Sequence, residues 1–216
     1  MSLTKTHHVF ASAAETGINT FLNAIFSTRP HFLNYGSSLF VPVSTVAATN
    51  MATIQFPGVP GGVQWAISFA VPTVDLFPDS SGGASPLPPV AHTFNIHTTV
   101  VLRIGCMSGT GKDGRDGGKS TPLTTKLDAW ALGEIIPHYF GPGTGFIGFQ
   151  VDKVLLPDIK PGSLEAVLEC LIKMLISGAL QNVQLPFHAI SLGALTLILE
   201  EGPTIEDNQI KVWGSI

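Results

Sequence analysis

The chain has 216 residues, of which 44% are apolar and only 12% charged, and its formal net charge is −4. Its 11 basic residues are spread thinly and provide no positive patch for nucleic acid, and no apolar run reaches the roughly 18 residues of a membrane-spanning helix. We therefore expect a single domain over residues 1–216, without a transmembrane segment, whose weakly charged surface suits an apolar ligand or a protein partner.

The first predicted element is an amphipathic helix over residues 12–26. Pro30 follows it closely, and the residue before a proline disfavours helical backbone, so the helix should end there. Residues 1–26 lack the apolar centre and cleavage site of a secretory signal, so we favour a cytoplasmic location, although localisation stays open. Between residues 32 and 60, short β-branched runs interrupted by prolines predict edge strands or extended connections.

The centre of the chain predicts four long strands. Residues 63–76 and 93–104 alternate apolar and polar side chains with the period of two typical of a strand that buries one face. Residues 123–132 and 145–156 predict two more strands, joined by a hairpin at 137–143. Two segments rich in small and turn-forming residues, at about 79–90 and 105–121, predict flexible loops.

Residues 163–178 show the strongest helical pattern in the chain. Ser163 is a suitable N-cap, and apolar residues recur at steps of three and four. Glu165, Glu169 and Lys173 share the opposite face, which predicts a wide apolar side against a sheet and a narrow side in water. Residues 192–200 and 209–216 then predict a strand pair. Since helices and strands do not alternate, we predict an α+β fold with a mainly antiparallel sheet.

No motif supports catalysis or a metal site. Residues 117–120 resemble the end of a phosphate-binding loop, but Asp113 stands where the first glycine is required. The histidines lack zinc spacing, and the acidic residues of this loop lack the spacing of a calcium loop. We expect a non-enzyme without cofactor or metal, an enzyme with an unrecognised cleft being the alternative. Cys106 and Cys170 are expected to be buried or semi-buried thiols.

The last third of the chain has a distinctive order of elements. A strand ending in Val151-Asp152-Lys153-Val154-Leu155-Leu156-Pro157 precedes the long helix, and Val183-Gln184-Leu185-Pro186 precedes strands that end in Ile205-Glu206-Asp207-Asn208-Gln209-Ile210-Lys211-Val212. This order resembles the tubular lipid-binding superfamily, which includes bactericidal permeability-increasing protein and lipid transfer proteins. The resemblance implies a long helix inside a strongly curved antiparallel sheet, with acyl chains in the apolar channel between them, in a single-domain, non-secreted member.

We therefore hypothesise non-catalytic binding of a lipid or other apolar molecule in a channel between the long helix and the sheet, a closed core being the alternative to an open channel. The expected lining residues are Phe94, Ile96, Phe149, Val151, Leu164, Leu168, Leu171 and Leu175. The second hypothesis is a protein-interaction or self-assembly module with a closed core, in which exposed aromatic residues such as Trp65 and Trp213 contact a partner or a second copy.

Overall fold

A computed structural model of the chain describes residues 6–41, 47–57, 59–76, 86–87, 90, 92–106, 122–141, 144–157, 159, 162–181, 183–187, 190–192, 195–206 and 208–216. Within these residues lie two α-helices, one short 3₁₀ helix and thirteen strands. In chain order they are β1 Val9–Ala14, α1 Glu15–Thr28, the 3₁₀ helix Pro30–Phe32, β2 Asn34–Gly36, β3 Thr49–Asn50, β4 Ile54–Phe56, β5 Val59–Phe69, β6 Thr73–Leu76, β7 Thr93–Cys106, β8 Leu123–Gly141, β9 Thr144–Leu155, α2 Gly162–Gln181, β10 Leu185–Phe187, β11 Ile190–Leu192, β12 Leu195–Glu206 and β13 Gln209–Ser215. Neither described helix combines the length and hydropathy needed to cross a membrane.

The chain divides into two compact units. The first contains Met1–Phe21, Thr73–His97 and Ala129–Ile216, and the second contains Leu22–Pro72 and Thr98–Asp128. In the first unit the strand orders are β10-β9-β8-β7-β6 and β1-β13-β12-β11, and in the second β5 pairs with β7, β2 and β4 while β2 pairs with β3. Apart from the parallel pair β2 and β3, the described pairings are antiparallel. The predicted α+β class with mainly antiparallel strands is therefore confirmed.

Polar side chains of α1 satisfy the backbone of β6. The Glu15 carboxylate accepts a hydrogen bond from the Leu76 N–H at 3.0 Å. The Asn19 amide accepts from the Val74 N–H at 2.7 Å and donates to the Val74 carbonyl at 2.8 Å. On the edge of β6 that faces away from β7, these side-chain hydrogen bonds take the place of those that a neighbouring strand would make. They also fix the start of α1 against the first unit's sheet.

Several predicted boundaries differ from the structure. The first helix begins at Glu15 and not at residue 12, because Val9–Ala14 pairs with β13 as a strand. The strand predicted at 63–76 is two strands, with Pro72, which has no N–H to donate, in the interval between them. Of the segment 137–143 predicted as a hairpin turn, residues 137–141 belong to β8, and residues 142–143 lie outside the described residues. The loops predicted at 79–90 and 105–121 lie largely outside the described residues, except that Gly105 and Cys106 end β7.

Both tryptophans predicted to be exposed are buried. The Trp213 side chain is 2% exposed, and the Phe10 ring of the neighbouring strand lies 5.7 Å from it, centroid to centroid. Trp65 is 9% exposed, and its indole N–H donates to the Ala52 carbonyl at 3.0 Å. The alternation around Trp65 established a strand but did not establish which face was covered. Neither ring is available to the interaction surface that the sequence suggested.

Gly133 permits a close approach between β8, β9 and the side chain of Phe94. A Cβ placed at Gly133 would lie 2.6 Å from Phe94 Cζ and even closer to the Gln150 carbonyl oxygen, whereas a Cβ at Gly178 of α2 would meet nothing within 4 Å. Gly133 also lies at a register shift between β8 and β9. Close packing therefore requires a glycine at position 133, whereas no neighbouring atom requires one at position 178.

Replacing each of these glycines by alanine should change stability in opposite directions. Gly133→Ala should lower the free energy of unfolding by about 1–3 kcal/mol through overpacking against backbone and Phe94. Gly178→Ala should raise it by about 0.5–1 kcal/mol because alanine loses less backbone entropy in a helix. Urea denaturation followed by circular dichroism measures both. A tolerated Gly133→Ala would contradict the close packing described here.

Candidate functional site

Helix α2 is fixed to β9 by side chains that bond to backbone. The Glu169 carboxylate accepts from the Leu156 N–H at 3.2 Å, and Lys173 Nζ donates to the Asp152 carbonyl at 2.5 Å. Because Glu169 precedes Lys173 while Leu156 follows Asp152, the helix and the strand run in opposite directions along this contact. The C-terminal half of α2 therefore lies toward the beginning of β9.

These bonds correct the predicted roles of the two faces of α2. Glu169 and Lys173, expected to face water, are half-buried beside β9. The buried face consists of residues spaced as one helical stripe: Ile172, Leu175, Ile176, Ala179 and Leu180. Val167 and Met174 are 65% and 59% exposed, and Cys170, predicted to be at least semi-buried, is also exposed. The solvent-facing stripe of α2 is thus largely apolar.

A pocket of about 410 Å³ lies between the C-terminal part of α2 and the β8–β9 hairpin. Along α2, the pocket lies on the C-terminal side of Glu169 and Lys173, whose side chains bond to the Leu156 N–H and the Asp152 carbonyl. Its described lining consists of five apolar side chains, five polar side chains (three amides, a hydroxyl and an imidazole) and one glycine. The lining residues are Ile136, Phe146, Phe149, Val151 and Leu180, then His138, Gln150, Ser177, Gln181 and Gln184, and Gly148.

The hairpin wall of the pocket is built on a stacked ring pair. His138 and Phe146 are register partners on β8 and β9, and their rings stack with centroids 4.5 Å apart and planes 21° apart. A Cβ at Gly148 would lie 3.3 Å from two atoms of the His138 ring. The glycine therefore leaves room for the imidazole to lie over the neighbouring strand. Both rings of the stacked pair line the pocket.

The predicted lining residues have different positions around this pocket. Phe149 and Val151 line it. Phe94 is fully buried and packs its ring edge to face with Phe149 at 5.7 Å, so it supports the wall from behind. Ile96 and Leu175 are buried in the core, Leu168 and Leu171 are half-buried on α2, and these four are not among the lining residues. The side chain of Leu164 lies outside the described part of the structure.

The remaining lining residues were not predicted. His138 falls within the segment 137–143 predicted as a turn, and Phe146 follows that segment. Gln181 and Gln184 lie beyond the predicted end of the helix at residue 178. One signal was available in the sequence: residues 135–151 contain no Asp, Glu, Lys or Arg. An uncharged stretch of that length, between Glu134 and Asp152, indicates a segment whose side chains form no salt bridges.

A second polar cluster joins His7 to β12. His7 Nδ1 lies 3.1 Å from a Glu200 carboxylate oxygen, and His7 Nε2 lies 2.9 Å from a Glu201 carboxylate oxygen. Hydrogen bonds to Glu201 and then Glu200 raise the pKa of His7 above 6.5. Hydrogen bonds from Ser215 and then His7 lower the pKa of Glu200 below 4.5. The His7 imidazole therefore bridges the two carboxylates, and both contacts favour its protonated form.

Neither a scan against protein-family models nor a search of curated proteins finds a match for this chain. Among the described residues, no group of three or more His, Cys, Asp or Glu side chains is arranged to hold a metal ion. The function is therefore argued from the geometry of the pocket and the residues around it.

Removing the carboxylate of Glu169 should loosen α2 at its contact with β9. Glu169→Ala leaves the Leu156 N–H without its side-chain acceptor and should lower the free energy of unfolding by about 1 kcal/mol. Glu169→Gln retains an acceptor oxygen and should lose less than half of that amount. Urea denaturation of both variants measures the difference. Equal losses in the two would show that charge, and not the hydrogen bond, determines the contribution.

The His7 cluster should stabilise the fold most between about pH 4.5 and 6.5. The contribution of His7, whose pKa is raised, is complete below 6.5 and is lost as pH rises through the folded-state pKa. The contribution of Glu200, whose pKa is lowered, is complete above 4.5 and is lost as pH falls through its folded-state pKa. Consequently His7→Gln should cost more stability at pH 5.5 than at pH 8.5. An NMR titration giving His7 a pKa below 6.5 would contradict this account.

Proposed function

We propose that this chain binds an apolar or amphiphilic small molecule, such as a single-chain lipid, in the pocket between α2 and the β8–β9 hairpin, and that it does so without catalysis. The observation that carries the proposal is a pocket of about 410 Å³ whose described lining residues include no Asp, Glu, Lys or Arg. This volume falls within the roughly 300–1,000 Å³ of typical ligand pockets. The five apolar side chains can cover a hydrocarbon portion, and the amides, hydroxyl and imidazole can hydrogen-bond a polar end.

The position of the pocket supports the comparison with tubular lipid-binding proteins. That resemblance requires a ligand between a long helix and antiparallel strands, and α2, β8 and β9 are arranged in this way around the pocket. Membership of the superfamily, strong curvature of the sheet and a helix enclosed by it stay predictions. The proposed binding depends only on the pocket and its lining.

A protein-interaction or self-assembly module is the second candidate function. The exposed Val167 and Met174 on α2 favour it, since apolar side chains on a helix surface are common at interfaces. Native mass spectrometry of protein purified from cells separates the two candidates. A reproducible excess mass that extracts as an amphiphile supports ligand binding. A stable oligomer with no bound small molecule supports assembly.

Filling the pocket should abolish ligand binding. Ser177→Phe places a ring in the pocket from α2, whereas Cys170→Phe places the same ring on the exposed stripe of that helix, outside the lining. Titration with the neutral fluorescent probe N-phenyl-1-naphthylamine should show at least a tenfold weaker affinity for Ser177→Phe and an unchanged affinity for Cys170→Phe. Circular dichroism confirms that both variants are folded. Equal affinities in all three proteins would refute the assignment of this pocket.

A further inference from the structure

Strand β1 has an outer edge with which no described strand pairs. It comes last in the order β1-β13-β12-β11, so β13 lies on one side of it only. The Glu15 N–H donates to the Asn208 carbonyl at 3.0 Å, and Val9–Ala14 pairs with β13 without a register shift. In an antiparallel ladder alternate residues bond to the same neighbour, so the residues two, four and six positions before Glu15 direct their N–H and C=O groups to β13. The residues between them direct these groups to the outer edge: Phe10, Ser12 and Ala14.

The outer edge of β1 lacks the features that usually protect a strand at the end of a sheet. Native edge strands avoid pairing with other chains by being very short or by carrying charges, prolines or bulges. The six residues of β1 include no charge and no proline, and residues 11–14 are exposed. The strands at the other ends of the described orders, β3, β10 and β11, have two or three residues each, and β10 contains Pro186. Of these described end strands, β1 is therefore the one best able to accept a further strand.

The sequence of β1 fits pairing with its own copy. In an antiparallel pair related by a two-fold axis, the same segment supplies both sides, so a charged residue at its centre would meet an identical charge. The register that pairs all three residues with outward backbone groups places Ser12 opposite Ser12 of the second copy, and Phe10 opposite Ala14. A large ring then lies beside a methyl group, and two small hydroxyls lie at the centre. Because each copy uses the same edge, this contact closes at two copies.

We propose that two copies of this chain pair through the outer edges of β1 in an antiparallel, two-fold contact that joins their β1-β13-β12-β11 sheets. This goes beyond the proposed function, since none of the described pocket residues belongs to β1. It also assigns self-association to β1 and not to the exposed Val167 and Met174 of α2. Main-chain hydrogen bonds supply the affinity, as in other strand additions. Six residues from each copy form a contact that is small beside the roughly 1,200–2,000 Å² of stable interfaces, so the dimer should be weak and concentration-dependent.

Sedimentation equilibrium of the full chain at about 5–500 μM tests the proposal. The mass of the unmodified chain should rise toward twice the monomer mass with concentration. Ser12→Pro should weaken the dimer at least tenfold, because it removes an N–H that points to the outer edge and none that bonds to β13. Met174→Glu changes a side chain of α2 that is 59% exposed and should dimerise like the unmodified chain. A monomer mass at every concentration, equal association of Ser12→Pro and the unmodified chain, or loss of the dimer in Met174→Glu would overturn the proposal.

An exchange of charge tests whether the partner strand is β1 of a second copy. Ser12→Glu and Ser12→Lys should each be monomeric, because like charges would lie opposite each other across the two-fold axis. An equimolar mixture of the two should recover the dimer mass, since each central pair then joins opposite charges. A mixture as monomeric as its components, or dimers formed by each variant alone, would show that β1 does not pair with its copy. Circular dichroism and unchanged affinity for N-phenyl-1-naphthylamine establish that the variants are folded and that loss of the dimer is separate from the pocket.

Discussion

The packing of α2 against β9 determines which side of the helix meets water. Glu169 and Lys173 reach the Leu156 N–H and the Asp152 carbonyl, so the charged side chains of the helix are engaged at the sheet. Glu169 and Lys173 are half-buried and flank the buried stripe of Ile172, Leu175, Ile176, Ala179 and Leu180, so the side opposite that stripe meets water. That side carries Val167, Cys170 and Met174.

The same contact explains where the pocket lies. Along the part of α2 that contains Glu169 and Lys173, side chains bridge the helix to β9. Beyond Lys173, Ser177 and Gln181 follow at steps of four residues along α2, and their short or uncharged side chains line the pocket. Phe94, packed edge to face behind Phe149, supports the opposite wall. The pocket is therefore bounded at one end by the hydrogen bonds of Glu169 and Lys173 and on one side by the packed rings of Phe94 and Phe149.

Periodicity predicted most elements but could not orient them. The alternation of residues 93–104 predicted β7, and the three-and-four spacing of residues 163–178 predicted α2, because these patterns reflect backbone geometry. The segment of α2 is apolar over much of its circumference, so its pattern did not reveal which side would be covered. β1 was missed because Val9–Ala14 has no alternation, and its strand conformation depends on pairing with β13. The end of β8 was missed for a similar reason, since Pro137 and Gly141 concealed a strand that is defined by its pairing with β9.

Charge also limits the kind of molecule that the pocket can hold. An ionised head group loses hydration when it enters a site, and this loss is offset only where a counter-charge or several hydrogen-bond donors replace water. The described lining residues include no arginine or lysine, and one of them, His138, is an imidazole. Gln150, Gln181 and Gln184 each carry both a donor and an acceptor group, which suits a neutral polar end such as a hydroxyl or an amide. A neutral amphiphile therefore agrees with the pocket lining, whereas an anionic ligand would leave a buried charge without compensation.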